Sequence, residues 1–523
     1  MGVTFGRVRP FSVRPHRTEM HWCPWMSVVL LLAFLTSPGT AQIFNALYEF
    51  QGGSDGGGPN GVIRDSAGNL YGTTVTGGIA VYGIVFKLDT SGKKTTLYEF
   101  KGGTDGEQPH GNLLLDANGN LYGTTEYGGN LSVSCGGYPG CGVVFKLDPG
   151  GNETVLYSFT GGSDGGEPLA GLAMDNAGNL YGTTAGGGLP GCDYFTQGCG
   201  VVFKLDTSGK ETVLHTFGGG SDGGASNSPV ILDPSGNVYG MTTGINANGG
   251  TVFKLDPSGN ETILHAFTGS PDGEQPYGAL VLDKNGNVYG TTYGGGIFDP
   301  NSCNYGGCGV VFKVTPVAKE QVVYSFPGGP NGWGPTAGLV RDKSGNLYGT
   351  AALGGMSQYC CGVLFELNPK RQQTILHSFT GGADGGSPGT DLIQDNAGNL
   401  YGTAYGGTYG DGVIFQVIPP NFTITTSPRK ASVSPGASTS STLTISPLAN
   451  FTRTVALTCT VPSGKSLTCG VSPGSVSLDG THSAIATLSI ATSPSTPGGS
   501  YKIKSTGSSG TLKHTATFML IVQ

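Results

Sequence analysis

Short apolar segments alternate with turns rich in Gly, Asp and Asn along most of the chain. In residues 111–159, four such segments (111–116, 121–125, 142–148 and 154–159) carry β-branched and aromatic residues, and each ends at a turn. Short segments of this composition are typical of β-strands joined by tight turns. The pattern therefore predicts one up-and-down sheet of four antiparallel strands.

The motif Gly-Asn-Leu-Tyr-Gly-Thr-Thr, first found at residues 68–74, recurs with small changes along the chain. The later copies begin at Gly119, Gly178, Gly236, Gly286, Gly345 and Gly398. A period near fifty residues indicates a repeat architecture, and a four-stranded antiparallel unit of this kind is a propeller blade. We therefore expect an all-β fold built from seven blades.

The two ends of the repeat region complement each other. The first three strands of the repeat occur seven times, the last set at 391–395, 400–404 and 412–418, but no fourth strand follows residue 418. A matching fourth strand precedes the first complete set, at 43–50. We expect this N-terminal strand to complete the last blade and close a ring, because an open stack would leave ends that need capping.

The N-terminal region has the features of a secretory signal. Basic residues precede an apolar run at 25–35, and small residues follow at Gly39-Thr40-Ala41. The run is shorter than the roughly 20 residues needed to span a bilayer, so we predict a signal peptide over 1–41, cleaved near Ala41. An uncleaved anchor is the alternative. The mature chain is expected to be secreted or exposed at the cell surface, with no transmembrane segment.

Charge separates the repeat region from the rest of the chain. Residues 42–418 hold 16 Lys and Arg against 32 Asp and Glu, whereas residues 419–523 hold 7 against 1. An acidic repeat region disfavours nucleic acid and anionic membranes as partners. Gly accounts for 95 of 523 residues, which also suits strands and turns better than helices.

Residues 419–523 are rich in Thr and Ser and begin with Pro419-Pro420. Alternating segments at 422–426, 441–445, 454–459, 484–490, 499–505 and 514–522 predict strands over about 100 residues, the size of an immunoglobulin-like sandwich. We therefore predict two mature domains, a seven-bladed β-propeller at 42–418 and a sandwich at 419–523.

The cysteines indicate disulfides. Loss of Cys23 with the signal peptide leaves ten cysteines, an even number in an exported chain. The expected local pairs are Cys135 with Cys141, Cys192 with Cys199, Cys303 with Cys308, and Cys459 with Cys469. Cys360 and Cys361 are adjacent, so a strained vicinal bridge and partners elsewhere in the loop both remain open. Zinc binding by these cysteines is disfavoured in an oxidising compartment.

The two faces of the predicted ring carry different loops. Short, uniform turns with the pattern Asp-x-x-Gly-Asn lie on one face, whereas the Gly-Gly-x-Asp-Gly linkers and the variable loops before each third strand lie on the other. Variable loops on a rigid scaffold are where binding usually occurs. Ligand contacts are therefore predicted on the second face, and the candidates are Tyr127, Tyr293, Tyr405, Trp333 and His110.

The linkers also carry a repeated acidic residue. If these carboxylates circle one mouth of the central channel, they could hold Ca²⁺ through oxygen ligands. Alternatively, each one caps the backbone of its own turn. The residues are Asp55, Asp105, Asp164, Asp222, Asp272 and Asp384, and Asn331 takes the same position in the remaining linker.

The repeats resemble the GloVer-type tandem repeat of secreted bacterial proteins, as in residues 178–184 followed by Val202 to Leu205. Members of that family are exported, but the resemblance implies no established activity. The C-terminal region, from Ser432 through Cys459 and Cys469, is similar to a bacterial immunoglobulin-like module.

These observations favour a binding or interaction module, expected to be monomeric, that recognises a polysaccharide or a protein at the cell surface. Ca²⁺ is the one candidate cofactor. An extracellular lyase or glycan hydrolase using carboxylates such as Glu107 and Glu274 is the competing hypothesis, because acid–base pairs are defined by geometry that the sequence does not give. A purely structural surface protein is the third.

Overall fold

The computed structural model describes residues 42–523 except 191, 193–197, 245–248, 299–302, 304–305, 357–360, 450 and 510–511. The predicted signal peptide lies outside the described residues. The described chain is all-β, and its helical segments are two 3₁₀ turns, Gly53–Asp55 and Gly329–Asn331. None of its helices has the length and apolar character needed to cross a membrane.

Residues 43–418 form seven antiparallel sheets of four strands each. Sheet 1 comprises Gly57–Arg64, Leu70–Thr76, Ile84–Leu88 and Lys94–Glu99; sheet 2 comprises Glu107–Leu115, Leu121–Tyr127, Val143–Leu147 and Glu153–Ser158; sheet 3 comprises Ala173–Met174, Leu180–Thr183, Val201–Leu205 and Glu211–Thr216; sheet 4 comprises Ile231–Leu232, Val238–Thr242, Thr251–Leu255 and Glu261–Ala266. Sheet 5 comprises Glu274–Leu282, Val288–Gly294, Val310–Val314 and Glu320–Ser325; sheet 6 comprises Val340–Arg341, Leu347–Ala351, Val363–Leu367 and Gln373–Ser378; sheet 7 comprises Ile393–Gln394, Leu400–Ala404, Val413–Ile418 and Ile43–Glu49.

The predicted pairing of the N-terminal strand is present. Ile43–Glu49 pairs antiparallel with the third strand of sheet 7, from Ile43 opposite Ile418 to Glu49 opposite Val413. The strands predicted in residues 111–159 are also present, but the first is longer at its start. It begins at Glu107 rather than at residue 111, because the residues before Gly111 pair with the end of the second strand.

The repeated motif forms the same turn and following strand in each sheet. In sheet 2, the Asp116 carboxylate accepts hydrogen bonds from the Asn120 backbone (2.8 Å), the Asn120 amide (2.7 Å) and the Tyr122 hydroxyl (3.1 Å). Gly123 lies opposite Phe145, and a Cβ at Gly123 would come within 2.7 Å of that ring. The Asp therefore fixes the turn, and the Gly leaves room for the aromatic ring.

Each sheet packs on the next through phenylalanine pairs. The Phe that follows each fourth strand meets the Phe of the next sheet's third strand edge to face, with ring centroids 5.0–5.3 Å apart. The pairs are Phe50 with Phe86, Phe100 with Phe145, Phe159 with Phe203, Phe217 with Phe253, Phe267 with Phe312, Phe326 with Phe365, and Phe379 with Phe415. Edge-to-face geometry is favourable for aromatic rings.

Seven equivalent backbone hydrogen bonds also join the sheets. In each, an N–H at the start of one sheet donates to a carbonyl just before the third strand of the preceding sheet. The donor and acceptor residues are Gly58 and Asp411, Gln108 and Tyr82, Glu167 and Cys141, Ala225 and Cys199, Gln275 and Gly249, Gly334 and Cys308, and Ser387 and Cys361. The first pair joins sheet 7 to sheet 1, so the contacts form a cycle.

Residues 421–522 form two further sheets around one apolar core. One sheet contains Asn421–Ser427, Ser438–Leu448, Ala484–Thr492 and Leu467–Ser472; the other contains Lys430–Val433, Leu512–Val522, Gly499–Ser509, Thr454–Thr460 and Ser475–Ser477. All six predicted strands of this region are present. The three that the sequence did not predict are Lys430–Val433, Leu467–Ser472 and Ser475–Ser477.

Candidate functional site

Exposed apolar side chains are concentrated on one face of the repeat region. This loop face consists of the linkers between sheets and the loops between second and third strands. Its exposed large apolar residues are Ile79, Val81, Leu131, Tyr138, Leu189, Ile297, Phe298, Met356, Tyr405 and Tyr409. In contrast, Val317 is the one such residue in the short turns of the opposite face, which we call the turn face, within the part of the chain described.

The predicted ligand contacts differ in exposure. Tyr405 is 50% exposed, whereas Tyr127 is 8% exposed and lies beneath Tyr138, with stacked rings 4.4 Å apart. Tyr138 is 43% exposed, so it presents the accessible ring of this pair. Sequence reasoning singled out Tyr127 but could not determine that Tyr138 covers it.

Trp333 is a packing residue. It is 2% exposed, and its ring lies 6.4 Å from that of Tyr293, which in turn lies 6.4 Å from Tyr277. The backbone of Trp333 forms a bridge with Leu353. The tryptophan therefore packs against Tyr293, and its predicted role as a direct ligand contact does not fit this buried position.

His110 lies in a strand, not in a loop as the sequence suggested. It belongs to Glu107–Leu115 and pairs with Thr124. Its Nε2 lies 2.9 Å from Glu126 Oε2. Burial opposes ionisation of Glu126, but the hydrogen bond and charge of His110 outweigh it and lower the pKa of Glu126.

Glu107 interacts with Glu126, not with Glu274 as the enzyme hypothesis suggested. It is buried, and burial together with the charge of Glu126 raises the pKa of Glu107. Glu274, the partner proposed from the sequence, begins the first strand of sheet 5. The structure thus brings Glu107 together with Glu126 and not with Glu274.

The six predicted Ca²⁺ ligands are spread around the outside of the cycle. Each carboxylate accepts a hydrogen bond from the backbone N–H four residues earlier, at Gln51, Lys101, Thr160, Gly218, Thr268 and Thr380. Among the described residues, no three of them come together as a ligand cluster. They therefore cap their own turns, which is the alternative that the sequence left open.

Each of these Asp residues also belongs to a triplet at the outer edge between two sheets. The other members are the Tyr or His of the preceding fourth strand and the residue in equivalent register at the start of the next sheet's fourth strand. In order, outer sites 1 to 7 are Tyr48, Asp55, Lys94; Tyr98, Asp105, Glu153; Tyr157, Asp164, Glu211; His215, Asp222, Glu261; His265, Asp272, Glu320; Tyr324, Asn331, Gln373; and His377, Asp384, Phe44.

Outer sites 2 to 5 each place two carboxyl groups side by side. Burial, followed by the charge of the neighbouring Asp, raises the pKa of Glu153, Glu211 and Glu320 to about 7. The Oε1 atom of each is buried without a hydrogen-bond partner. A buried acceptor left unpaired is costly, so these glutamates destabilise the fold when they are ionised.

Glu153→Gln is expected to raise the unfolding temperature at pH 8 and to change it much less at pH 5. The folded-state pKa of about 7 lies above the unfolded value of about 4.3. The stabilisation from protonated Glu153 is complete below the unfolded pKa and is lost as pH rises through the folded pKa. The neutral Gln amide does not ionise and so does not undergo this loss. Thermal unfolding of the oxidised native chain and of Glu153→Gln, each at pH 5 and at pH 8, measures the difference in unfolding temperature.

Outer site 6 supplies the matched comparison. There Gln373 donates to the Asn331 carbonyl at 2.9 Å and accepts from the Tyr324 hydroxyl at 2.8 Å. The double substitution Asn331→Asp with Gln373→Glu recreates a carboxyl pair and should add the pH dependence that Glu153→Gln removes. An effect of Glu153→Gln that is equal at pH 5 and pH 8 would contradict this explanation.

Asp391, which the sequence analysis did not single out, lies where the first strands of several sheets converge. One carboxylate oxygen of Asp391 accepts from the backbone N–H of Gly338 (2.5 Å) and Ala279 (3.3 Å), and the other accepts from the Asn112 side chain (3.0 Å). These partners belong to sheets 6, 5 and 2. The equivalent positions in sheets 1, 3, 5 and 6 are the small residues Gly61, Gly171, Ala279 and Gly338, and a Cβ at Gly61 would collide with Asn112 Oδ1.

Four disulfides confirm the local cysteine pairs. They join Cys135 to Cys141, Cys192 to Cys199, Cys303 to Cys308, and Cys459 to Cys469. Cys361 is also disulfide-bonded, whereas Cys360 lies outside the described residues. Three of these bridges lie in loops of the loop face, and disulfides of this kind indicate an extracytoplasmic, oxidising environment.

A cleft of about 490 Å³ lies on the turn face. Its walls come from the turns of sheets 6 and 7, including Asp342 and Asp395, and from the C-terminal region, including Lys513 and His514. His514 Nε2 is 2.7 Å from Asn421 Oδ1. This cleft could not be predicted from the sequence, because the residues of its walls are distant in the chain.

The repeats match the model of a known family over most of the chain. The Gloeobacter/Verrucomicrobia repeat model matches residues 33–188, 132–303 and 300–451. The chain belongs to the Gloeobacter/Verrucomicrobia repeat family. This finding confirms the family that the repeated motif indicated, and the matched segments include all seven four-stranded sheets. No curated protein matches the chain.

Similarity to solved structures is low. A quinonprotein alcohol dehydrogenase-like protein from Bacteroides thetaiotaomicron is 13% identical with a TM-score of 0.37, over 61% of this chain and 65% of that one. A family 123 glycoside hydrolase from Clostridium perfringens is 12% identical with a TM-score of 0.16, over 20% and 27%. Domains 4 and 5 of the S-layer protein SbsC are 14% identical with a TM-score of 0.15, over 35% and 96%.

The chain thus spans less than two thirds of the first two of these structures. All three TM-scores are below 0.5. No fold or function is transferred from them to this member of the Gloeobacter/Verrucomicrobia repeat family.

Proposed function

We propose that this family member is an exported binding module in which the seven sheets are the blades of a β-propeller. The cycle of phenylalanine pairs and backbone hydrogen bonds supports that architecture. The two C-terminal sheets would form an immunoglobulin-like sandwich that acts as a spacer or docking domain. Export would depend on the predicted signal peptide, and the disulfides support an extracellular location.

The observation that carries the binding proposal is the distribution of exposed apolar side chains. Ten of them lie on the loop face, in loops of six different sheets. Exposed apolar groups concentrated on one surface mark interaction sites, whereas scattered ones need no explanation. Tyr138 stacked on Tyr127 is an amphipathic platform, and such rings suit stacking on sugars or gripping a protein. The proposed partner is therefore a polysaccharide or a protein of the cell surface.

Replacing exposed loop-face tyrosines is expected to weaken partner binding at least tenfold, a loss typical of an interface anchor. The mature chain would be screened on a glycan array, with and without Ca²⁺, and Tyr138→Ser and Tyr405→Ser compared with it. Val317→Ser is the matched control, because Val317 is 83% exposed on the opposite face. If Val317→Ser also lost binding, the loop face would not be the binding surface. If no glycan on the array were bound, a protein partner would be favoured.

The enzyme hypothesis keeps one supporting observation. Glu107 and Glu126 interact, and their environments move their pKa values in opposite directions, as in acid–base pairs. Glycans bound on the array would therefore also be assayed for cleavage. Cleavage lost in Glu126→Gln would make this pair catalytic, whereas binding without cleavage supports the module proposed above.

A further inference from the structure

Outer site 4 differs from the other six in how its side chains meet. His215 Nε2 lies 3.5 Å from Glu261 Oε1 and 3.8 Å from Asp222 Oδ2, and all three ligand atoms lie within 4.8 Å of one another. The three side chains are only 19%, 14% and 25% exposed, in that order. In the part of the chain that the structure describes, no other three His, Cys, Asp or Glu side chains meet in this way.

Two of these three atoms lack a hydrogen-bond partner. His215 Nε2 and Glu261 Oε1 are both buried and unpaired. By contrast, the histidines of outer sites 5 and 7 contact their Asp directly, at 3.0 Å for His265 and 2.9 Å for His377. Buried polar atoms that find no protein partner in a native fold call for an explanation such as an ion.

The donor set fits a transition metal ion. One imidazole nitrogen and two carboxylate oxygens are ligands that zinc accepts, with bonds of about 2.0–2.2 Å and ligands about 3.3 Å apart in a tetrahedron. The observed separations of 3.5 and 3.8 Å require only small side-chain movements to reach that geometry. Ca²⁺ would need six to eight oxygen ligands, and imidazole favours zinc-type ions.

We propose that His215, Asp222 and Glu261 form a binding site for a zinc-type divalent cation that links sheets 3 and 4. The Asp222 carboxylate is already oriented, because Oδ2 accepts from the Gly218 backbone at 2.6 Å and Oδ1 from the Gly220 backbone at 3.2 Å. Ligands fixed by such surrounding hydrogen bonds bind metals more tightly.

Outer sites 1, 6 and 7 show how the same position is neutralised without a metal. In outer site 1, the Lys94 ammonium replaces the Glu and lies 2.7 Å from the Asp55 carboxylate. In outer site 6, both acids are amides. In outer site 7, Phe44 replaces the Glu and stacks on His377, with centroids 3.9 Å apart. A protein cation beside the Asp in one repeat indicates that this crevice accommodates positive charge.

The test is metal binding by the oxidised, tag-free mature chain after removal of metals with a chelator. Zn²⁺ is titrated calorimetrically, and Co²⁺ is used as a spectroscopic probe whose visible absorption reports tetrahedral N/O ligation. We expect one site per chain and at least a tenfold loss of affinity in His215→Tyr and in Glu261→Gln. Both replacements place a residue that other outer sites already contain at that position, so folding should be retained.

His377→Tyr and Glu320→Gln are the matched controls, because they alter outer sites 7 and 5 in the same way. Neither should change the affinity for Zn²⁺ or the Co²⁺ spectrum. The proposal is overturned if the native chain binds no Zn²⁺, if His215→Tyr binds it as tightly as the native chain, or if the controls lose binding to the same extent.

Discussion

Phe50→Ala is expected to destabilise the protein by about 3–5 kcal/mol, the usual range for a buried phenylalanine. Phe50 directly follows the N-terminal strand and is fully buried. Its ring meets Tyr48 at 5.1 Å and Phe86 of sheet 1 at 5.2 Å, both edge to face. Truncation would therefore leave a cavity at the junction where the two ends of the repeat region meet.

Phe159→Ala is the matched control for this prediction. Phe159 occupies the equivalent place after the fourth strand of sheet 2 and is equally buried, with its ring 5.1 Å from Phe203 of sheet 3. Neither sheet 2 nor sheet 3 contains residues 43–50, so the position of Phe159 does not depend on the N-terminal strand. Urea unfolding of both oxidised variants should give similar losses. A loss below about 1 kcal/mol for Phe50→Ala alone would show that residues 43–50 do not close the cycle.

The strand pattern could be predicted because the sequence repeats it seven times. Buried positions such as Phe86 and Phe145 recur in register, so local pattern and repeat spacing gave the same assignment. The N-terminal strand was predicted by counting, since one fourth strand was missing at residue 418. Neighbouring cysteines were also predictable, because only a local partner lay within reach in each loop.

The outer sites were not predictable to the same degree. The sequence left open whether the linker aspartates gather at a channel mouth or cap their own turns. The turn after each fourth strand brings them back against that strand, as when the Tyr98 hydroxyl donates to Asp105 at 2.9 Å. A signal was present, because a Tyr or His precedes each Asp by seven residues in six linkers. Glu153 and its equivalents belong to the next sheet. Their proximity to the linker Asp depends on how neighbouring repeats pack, which the sequence does not show.

Trp333 shows a different reason for error. An aromatic residue in a linker was assigned to the surface because connecting segments usually lie there. This linker is instead held by two backbone hydrogen bonds with Leu353, of 2.9 and 3.2 Å. The ring therefore enters the core between sheets 5 and 6, a result of tertiary packing that residue type alone does not indicate.

Asp391→Ala is expected to destabilise the protein by about 3 kcal/mol, because each buried donor left without its acceptor costs about 1–3 kcal/mol. The substitution removes the acceptor of two backbone N–H groups and of the Asn112 amide. Asp391→Asn keeps the size of the side chain and one acceptor oxygen, so its loss should be smaller. Urea unfolding of both variants gives the comparison, and a loss below 1 kcal/mol for Asp391→Ala would contradict the central role of this carboxylate.

The difference between Asp391→Asn and the native chain should also change with pH. Burial raises the pKa of Asp391 above its ordinary value, although hydrogen bonds from Gly338, Ala279 and Asn112 oppose that shift. The contribution of the protonated group is complete below the unfolded pKa and is lost as pH rises through the folded pKa. The native chain therefore loses stability relative to Asp391→Asn as pH rises above the unfolded pKa of about 3.9, and the difference in stability between the two proteins narrows. Both proteins keep Glu153 and its equivalents, so the titration of those groups cancels, and a gap that widens would mean that ionised Asp391 is the better-accommodated form.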